Sequence, residues 1–255
     1  MEILSKIWKY GCFVTFQEYN PNATATTISL VAFGCLLLCM VSAYLIGSIN
    51  FAILLSGAQG DDIRKHGSKN AGTTNMLRTY GKKAAVITLI GDFLKGTVAV
   101  LIGMMLFGML GQYLSALFAV LGHVFPIYYK FKGGKGIATA AGTILACEPL
   151  VLLILLVIFA IIVIGTKYVS LASIVVALLY PIILDRYYKI LPPYEGYVSG
   201  LHILFVVILS AMVFFKHYPN MKRLMNKTES KVSFKKKAEA PKSEGVDQIS
   251  INNKD

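Results

Sequence analysis

Charge is what this 255-residue chain lacks: Asp, Glu, Lys and Arg make up 15% of it, against 56% hydrophobic residues and a mean hydropathy of +0.64. A soluble domain carries about 25% charged residues, so the composition excludes that class and indicates a membrane protein. The few charges are also unevenly spread. None stands between Glu18 and Asp61, Lys95 and Lys130, Glu148 and Lys167, or Glu195 and Lys216. Each of these gaps can seat helix in lipid. Cysteine is scarce as well: Cys12, Cys35, Cys39 and Cys147 show no metal-ligand spacing, which excludes a disulfide scaffold and a zinc module and leaves them as packing residues. The formal net charge of +12 does not indicate nucleic acid, because the basic residues gather at the ends of apolar runs, where they report membrane orientation. No uninterrupted apolar core precedes a small-residue cleavage site in the first 27 residues, which argues against a cleaved signal peptide.

What is present reads as an all-α, polytopic membrane helix bundle. A hydrocarbon core of about 30 Å takes roughly 20 helical residues. On that measure spans are predicted at about Thr27 to Ser56, 84 to 108, 112 to 129, 150 to 165, 169 to 186 and 198 to 215, with a break at Gly108 to Gln112. Gly136 to Cys147 is a short fourth helix that brings the total to about seven. It must cross, because the basic stretches on either side of it belong on one face. With the first span running inward, Lys6, Lys9, Arg186 and Lys189 lie outside, Lys95 lies within a span, and every other Lys and Arg faces the cytoplasm. Aromatic belts agree: Tyr128, Tyr129 and Phe131 at one interface, and Tyr187, Tyr188, Tyr194 and Tyr197 around Pro192-Pro193 at the other, where 186 to 198 forms an outer loop. Three regions follow. Residues 1–27 form an N-terminal extension that carries Trp8 and Phe13 and can lie along an interface. Residues 28–225 form the membrane domain, and 226–255 a polar, basic, disordered tail whose Lys231 and Lys235 to Lys237 are drawn to anionic membrane lipids.

The inner turns repeat one chemistry of small residues, hydroxyls or amides, and a cation. His66-Gly67-Ser68-Lys69-Asn70-Ala71-Gly72-Thr73-Thr74-Asn75-Met76-Leu77-Arg78 combines glycines with converging donors. Such a loop opening onto a helix suits an anion, although its composition also fits an ordinary polar loop. Lys132-Gly133-Gly134-Lys135-Gly136-Ile137-Ala138-Thr139 is a glycine nest around a lysine, for which phosphate is the natural guest. It is not a nucleotide P-loop: Lys135 is followed by Gly136 and not by Ser or Thr. A third cluster joins Lys167-Tyr168-Val169-Ser170 to Lys216-His217-Tyr218-Pro219-Asn220-Met221-Lys222-Arg223, with His217 and Asn220 placed to share a face. Asp92 and Lys95, i and i+3 within a span, read as an internal ion pair that shapes the site, and His123 and His202 read as structural.

Taken together, Gly47-Ser48-Ile49, Asp62-Ile63-Arg64, Gly67-Ser68 with Asn70 and Gly72, Thr74-Asn75, Leu77-Arg78, Asp92 with Leu94-Lys95-Gly96, Gly122-His123-Val124-Phe125-Pro126 and Phe131 to Gly136 resemble the bacterial acyl-phosphate:glycerol-3-phosphate acyltransferases over about residues 30 to 225. The resemblance implies that Ser68, Asn70, Thr74 and Asn75, with Lys135 among Gly133, Gly134 and Gly136, hold the phosphate of the acyl donor. It implies equally that Arg78, Ser170, His217 and Asn220 bind glycerol 3-phosphate. Lys69 and Thr73 stand where that family usually has glycine and alanine, and Asn50 where it commonly has proline.

An acyl phosphate is already activated, so its transfer to an alcohol requires orientation, oxyanion stabilisation and removal of one proton, with no ATP, metal or other cofactor. There is no G-x-S-x-G elbow, and no histidine is followed four residues later by aspartate: His66 is followed by Asn70 and His123 by Ile127. The resemblance implies that a substrate phosphate takes the hydroxyl proton. The expected partners are glycerol 3-phosphate, a long-chain acyl phosphate handed over by the enzyme that makes it, and membrane lipid. An anion or phosphate-ester transporter is the competing reading, but it calls for sites on both faces, and the outer turns at 109–111 and 147–149 hold no cation.

Overall fold

The computed structural model describes residues 6–7, 10–191 and 200–232. Trp8, Lys9, most of the expected outer loop (Pro192-Pro193, Tyr194, Tyr197) and Lys235 to Lys237 lie outside the described residues. The regular structure described is helical: α1 Cys12–Tyr19, α2 Ala25–Ser48, α3 Phe51–Gly57, a 3-10 turn Ile63–Lys65, α4 Thr73–Thr79, α5 Gly81–Val124, α6 Ile137–Cys147, α7 Pro149–Thr166, α8 Val169–Ile190, α9 Leu201–Lys216 and α10 Tyr218–Met225. Four of these, α2, α5, α7 and α8, are long and apolar enough to cross a membrane, and α9 with α10 makes a fifth if the pair, bent by 50°, is taken together. Their outer faces carry Leu30, Phe33, Ile161 and Ile164, each well over half exposed, a surface suited to lipid.

Two breaks shape the bundle. The residues expected as one span from Thr27 to Ser56 form two helices, because α2 stops at Ser48 and Asn50 caps α3, its side chain accepting from Ile53 N at 3.1 Å. The break would leave backbone groups unpaired in an apolar setting, and α5 supplies their partners. Lys95 Nζ donates to Ile49 O at 2.6 Å, and Asp92 Oδ1 lies 3.4 Å from Phe51 N. The second break, expected near Gly108, falls at Phe107 and Gly108, whose φ of 58° is left-handed and bends α5 into two arms. Phe13 of α1 stacks on Phe107 at 4.5 Å, so the N-terminal helix packs against this bend.

The short helix α6 rises only about 16 Å, half the apolar thickness of a bilayer. It lies against the first arm of α5 at two glycines: a Cβ on Gly96 would overlap the Thr139 carbonyl, and one on Gly142 the Phe93 carbonyl. Thr97 Oγ1 donates to Gly142 O at 2.9 Å across the same seam. Beyond α6 the core is apolar, with Ile144, Leu152, Leu155, Tyr180, Leu184 and Val206 drawn from α6 to α9.

Candidate active site at the basic end of the bundle

The loop from His66 to Gly72 is organised by one amide. Asn75, 1% exposed, donates through Nδ2 toward His66 O at 2.9 Å, Asn70 O at 3.1 Å and Ile63 O at 3.2 Å, while its Oδ1 accepts from Ser68 N at 3.0 Å. Arg64 ties this loop to the next. It is paired with Asp62 at 2.8 Å and donates to Tyr129 O at 3.2 Å and Lys132 O at 3.1 Å. That guanidinium holds the Asp62 carboxyl below the usual carboxylate range.

The glycine-lysine loop is pressed against the end of α5. A Cβ on Gly133 would overlap His123 O, and one on Gly134 would overlap both His123 Nε2 and Ala71 O, so the missing side chains permit close backbone approach. Gly136 has φ 85° and opens α6, whose first amides, at Ile137 and Ala138, border a cavity. Lys135 Nζ donates to Asn220 Oδ1, Asn220 Nδ2 donates to Glu229 Oε1 at 2.8 Å, and Arg223 Nε donates to Glu229 Oε2 at 2.6 Å. Burial, with Arg223 and Arg78 nearby, lowers Lys135 to about 8 against the opposing pull of Glu229. Glu229 itself is lowered by its bonds to Asn220 and Arg223, which outweigh its burial. Burial first, then Lys135, lowers His217 to about 4. Its Nδ1 lies 2.8 Å from Val213 O, so the ring donates there and leaves Nε2 as an acceptor.

Asn75, Lys135, His217, Asn220, Arg223 and Glu229 meet at one cavity of about 1260 Å³. Its mouth is lined by Ser68, Asn70, Thr74, Asn75, Arg78, Lys135, Gly136, Ser170, His217 and Asn220. Of the residues predicted from the sequence, only Gly133 and Gly134 stand back from it, acting through loop packing. Below the mouth the walls become apolar: Leu89, Ile90 and Leu94 of α5, Leu152, Leu155, Leu156 and Phe159 of α7, and Val176 and Tyr180 of α8. Leu89, Ile90, Leu94 and Leu156 are each 45% exposed or more, so this shaft opens sideways toward lipid, while Tyr180 at 4% closes its depth.

Asp92, His123, Arg223 and Glu229 carry no binding role in the sequence reading. His123 lines the cavity although the sequence reads it as structural, and Asp92, expected in an ion pair that shapes the site, lines it too. Arg223 and Glu229 also line it, together with Ser230 and Val232, because the chain after α10 turns back: Val232 N donates to Lys167 O at 2.9 Å, and Arg78 Nη2 to Ser230 O at 3.2 Å. The available signal was Glu229, an acid alone among Lys222, Arg223, Lys227 and Lys231.

The sequence model of a family described as glycerol-3-phosphate acyltransferase matches residues 37–227. A protein of Bacillus cereus named glycerol-3-phosphate acyltransferase 2 is 44% identical over 204 residues, which is 78% of this chain and 96% of that protein. The glycerol-3-phosphate acyltransferase of Bacillus subtilis (strain 168) is 41% identical over 199 residues, 77% of this chain and 97% of its own length. Among solved structures, PlsY, described as an integral membrane glycerol 3-phosphate acyltransferase and crystallised in its glycerol 3-phosphate form, matches with a TM-score of 0.70 at 34% identity, covering 78% of this chain and 96% of that one. Its lysophosphatidic acid form matches with a TM-score of 0.68.

Proposed function

This chain belongs to the glycerol-3-phosphate acyltransferase family of integral membrane enzymes, and from that premise we propose that its acyl donor is a long-chain acyl phosphate. The products are then 1-acyl-glycerol 3-phosphate and inorganic phosphate, in the first acylation of phospholipid synthesis. The observation that carries this reading is the single cavity in which a cation-lined mouth continues into an apolar shaft open to lipid. A donor with a charged head and a hydrocarbon chain fits both parts at once.

The residue roles follow from position. Lys135, Gly136 and the first amides of α6 receive the donor phosphate, with Ser68, Asn70 and Thr74 closing the opposite wall. Asn75 keeps that wall in shape, and Gly133 and Gly134 let the loop lie against α5. Arg78, Ser170, His217 and Asn220 surround the adjoining space, where glycerol 3-phosphate binds, and His217 Nε2 accepts from its hydroxyl. The hydroxyl oxygen bonds to the acyl carbon, the bond from that carbon to the phosphate oxygen breaks, and the proton passes to substrate phosphate. Holding both substrates side by side and stabilising the developing oxyanion lower the barrier by several kcal/mol.

In the membrane, the two arms of α5 cross separately and the short α6 completes a seven-crossing bundle of residues 28–225. The mouth then faces the cytoplasm of a bacterial cell membrane, where the Lys and Arg excess falls, and receives acyl phosphate from the enzyme that makes it. The test is purified protein in detergent with chelator and no nucleotide, offered glycerol 3-phosphate and equal amounts of acyl phosphate, acyl-CoA or acyl carrier protein thioester. Lysophosphatidic acid should form from acyl phosphate, with one phosphate released per product. Preference for either thioester, or a requirement for added metal, contradicts the proposal.

A further inference from the structure

His123 stands at the wall of the cavity on the last turn of α5, 3% exposed. Its Nδ1 lies 2.9 Å from Lys95 Nζ. The same ammonium contacts Asp92 Oδ1 at 2.7 Å and Ile49 O at 2.6 Å. An ammonium has three protons and no lone pair, so three contacts use all of its donors and His123 Nδ1 accepts one of them, while Asp92 Oδ1, 3.6 Å from the same nitrogen, lies beyond hydrogen-bond distance. A neutral imidazole that accepts at Nδ1 carries its proton on Nε2. That nitrogen lies beside Gly134, where a Cβ would overlap it, and among the described residues it has no hydrogen-bond partner.

We propose that His123 is a further catalytic residue whose Nε2–H donates to the carbonyl oxygen of the acyl phosphate as negative charge develops there. The assignment rests on the acyl-transfer reading above. It gives the two histidines of the cavity complementary tasks. The Val213 carbonyl forces His217 to present an acceptor, and the Lys95 ammonium forces His123 to present a donor. Asp92 and Lys95 become positioning residues that act through His123 while also holding the break between α2 and α3. The glycine at 134 gains a second reason, since any side chain there would cover the donor.

Two substitutions separate donation from support. In His123→Gln the side-chain amide can reach the place of Nε2 and donate, but nothing replaces the acceptor for Lys95. In His123→Asn an oxygen can take the place of Nδ1 and serve Lys95, but nothing reaches the cavity. Removing an oxyanion donor costs about a hundredfold or more in kcat. His123→Asn should lose that much with little change in KM for glycerol 3-phosphate, and His123→Gln should stay within about tenfold of the parent. Asparagine outperforming glutamine, or both variants retaining near-normal kcat, overturns the proposal. A second readout needs no turnover: in ¹⁵N-histidine-labelled protein, the resonances lost in His123→Gln should show a neutral ring protonated at Nε2, and protonation at Nδ1 or at both nitrogens overturns it. The kinetic ratio is measured with whichever donor the parent enzyme uses, so failure of the donor reading leaves this result separate.

Discussion

The bundle buries a polar cluster at each end, and among the described residues only the basic one lines the cavity of about 1260 Å³. At the basic end Lys135, Asn220, Glu229, Arg223 and His217 surround open space. At the far end Tyr113 and Tyr188 both donate to Glu148, the latter at 2.6 Å, and their hydroxyls lie 2.8 Å apart, with His202 against the two rings at 5.6 Å and 5.1 Å. None of these four lines the cavity. Burial of polar groups is therefore not what distinguishes a site here. The far cluster joins α5, α6, α7, α8 and α9 through hydroxyl–carboxylate bonds among its own members, whereas the near cluster keeps cations and backbone amides available to a guest.

The largest test of that contrast is Lys135→Ala. Removing a half-buried cation from the mouth should lower acyl transfer about a hundredfold or more, with protein abundance little changed. Arg should rescue only in part, its planar fork fitting poorly among three glycines. Lys132, exposed and outside the cavity, is the control, and Lys132→Ala should have a far smaller effect. Assays normalised to purified protein decide the matter, and the reverse ranking would move the phosphate-binding role to Lys132.

A smaller effect should appear with pH. Lys135 is lowered to about 8, so it is charged below that value and loses its proton as pH rises through it. Substrate phosphates are already largely dianionic above about pH 7, so binding should weaken for want of the ammonium. KM for the acyl phosphate should rise several-fold from about pH 7.5 to about pH 9.5 in the parent and stay flatter in Lys135→Arg, since arginine keeps its charge throughout. Glu229, Arg223, Arg78 and His217 face the same ammonium, and His217, lowered to about 4, is already neutral across this range. Equal pH profiles in the two proteins would remove Lys135 from phosphate binding.

The smallest effect on turnover belongs to the far cluster. Tyr113→Phe should leave kcat within about twofold while lowering the melting temperature by a few degrees, the scale of one buried hydrogen bond of about 1 kcal/mol. A large loss of kcat at unchanged melting temperature would show that the far cluster serves the reaction.

How much of this was legible in the sequence differs between the same two regions. The helical spans were readable because uncharged stretches of membrane length admit few alternatives, and the mouth because its glycines, amides and lysines stand together in the chain. The break at Ile49 and Asn50 was hidden, since an uncharged asparagine in an apolar run reads as continuous span, while the partners that permit the break, Asp92 and Lys95, stand more than forty residues away. Glu229 was passed over, and Arg223 given no role within its cluster, for a similar reason: a basic tail looks solvated until the chain is seen to turn back to Lys167. His123 read as structural because nothing in local spacing shows that Lys95 fixes its tautomer.

The central claim is that the acyl chain lies in the shaft below Lys135. It is tested most directly with a non-hydrolysable acyl phosphonate carrying a photoreactive group near the end of its chain, irradiated with the intact protein and mapped by mass spectrometry. The account predicts labels on shaft residues such as Leu156, Phe159 or Tyr180, competed by unlabelled acyl phosphate and lost in Lys135→Ala. Labels confined to the outer faces around Leu30, Phe33 or Ile161, unaffected by competitor, would contradict it.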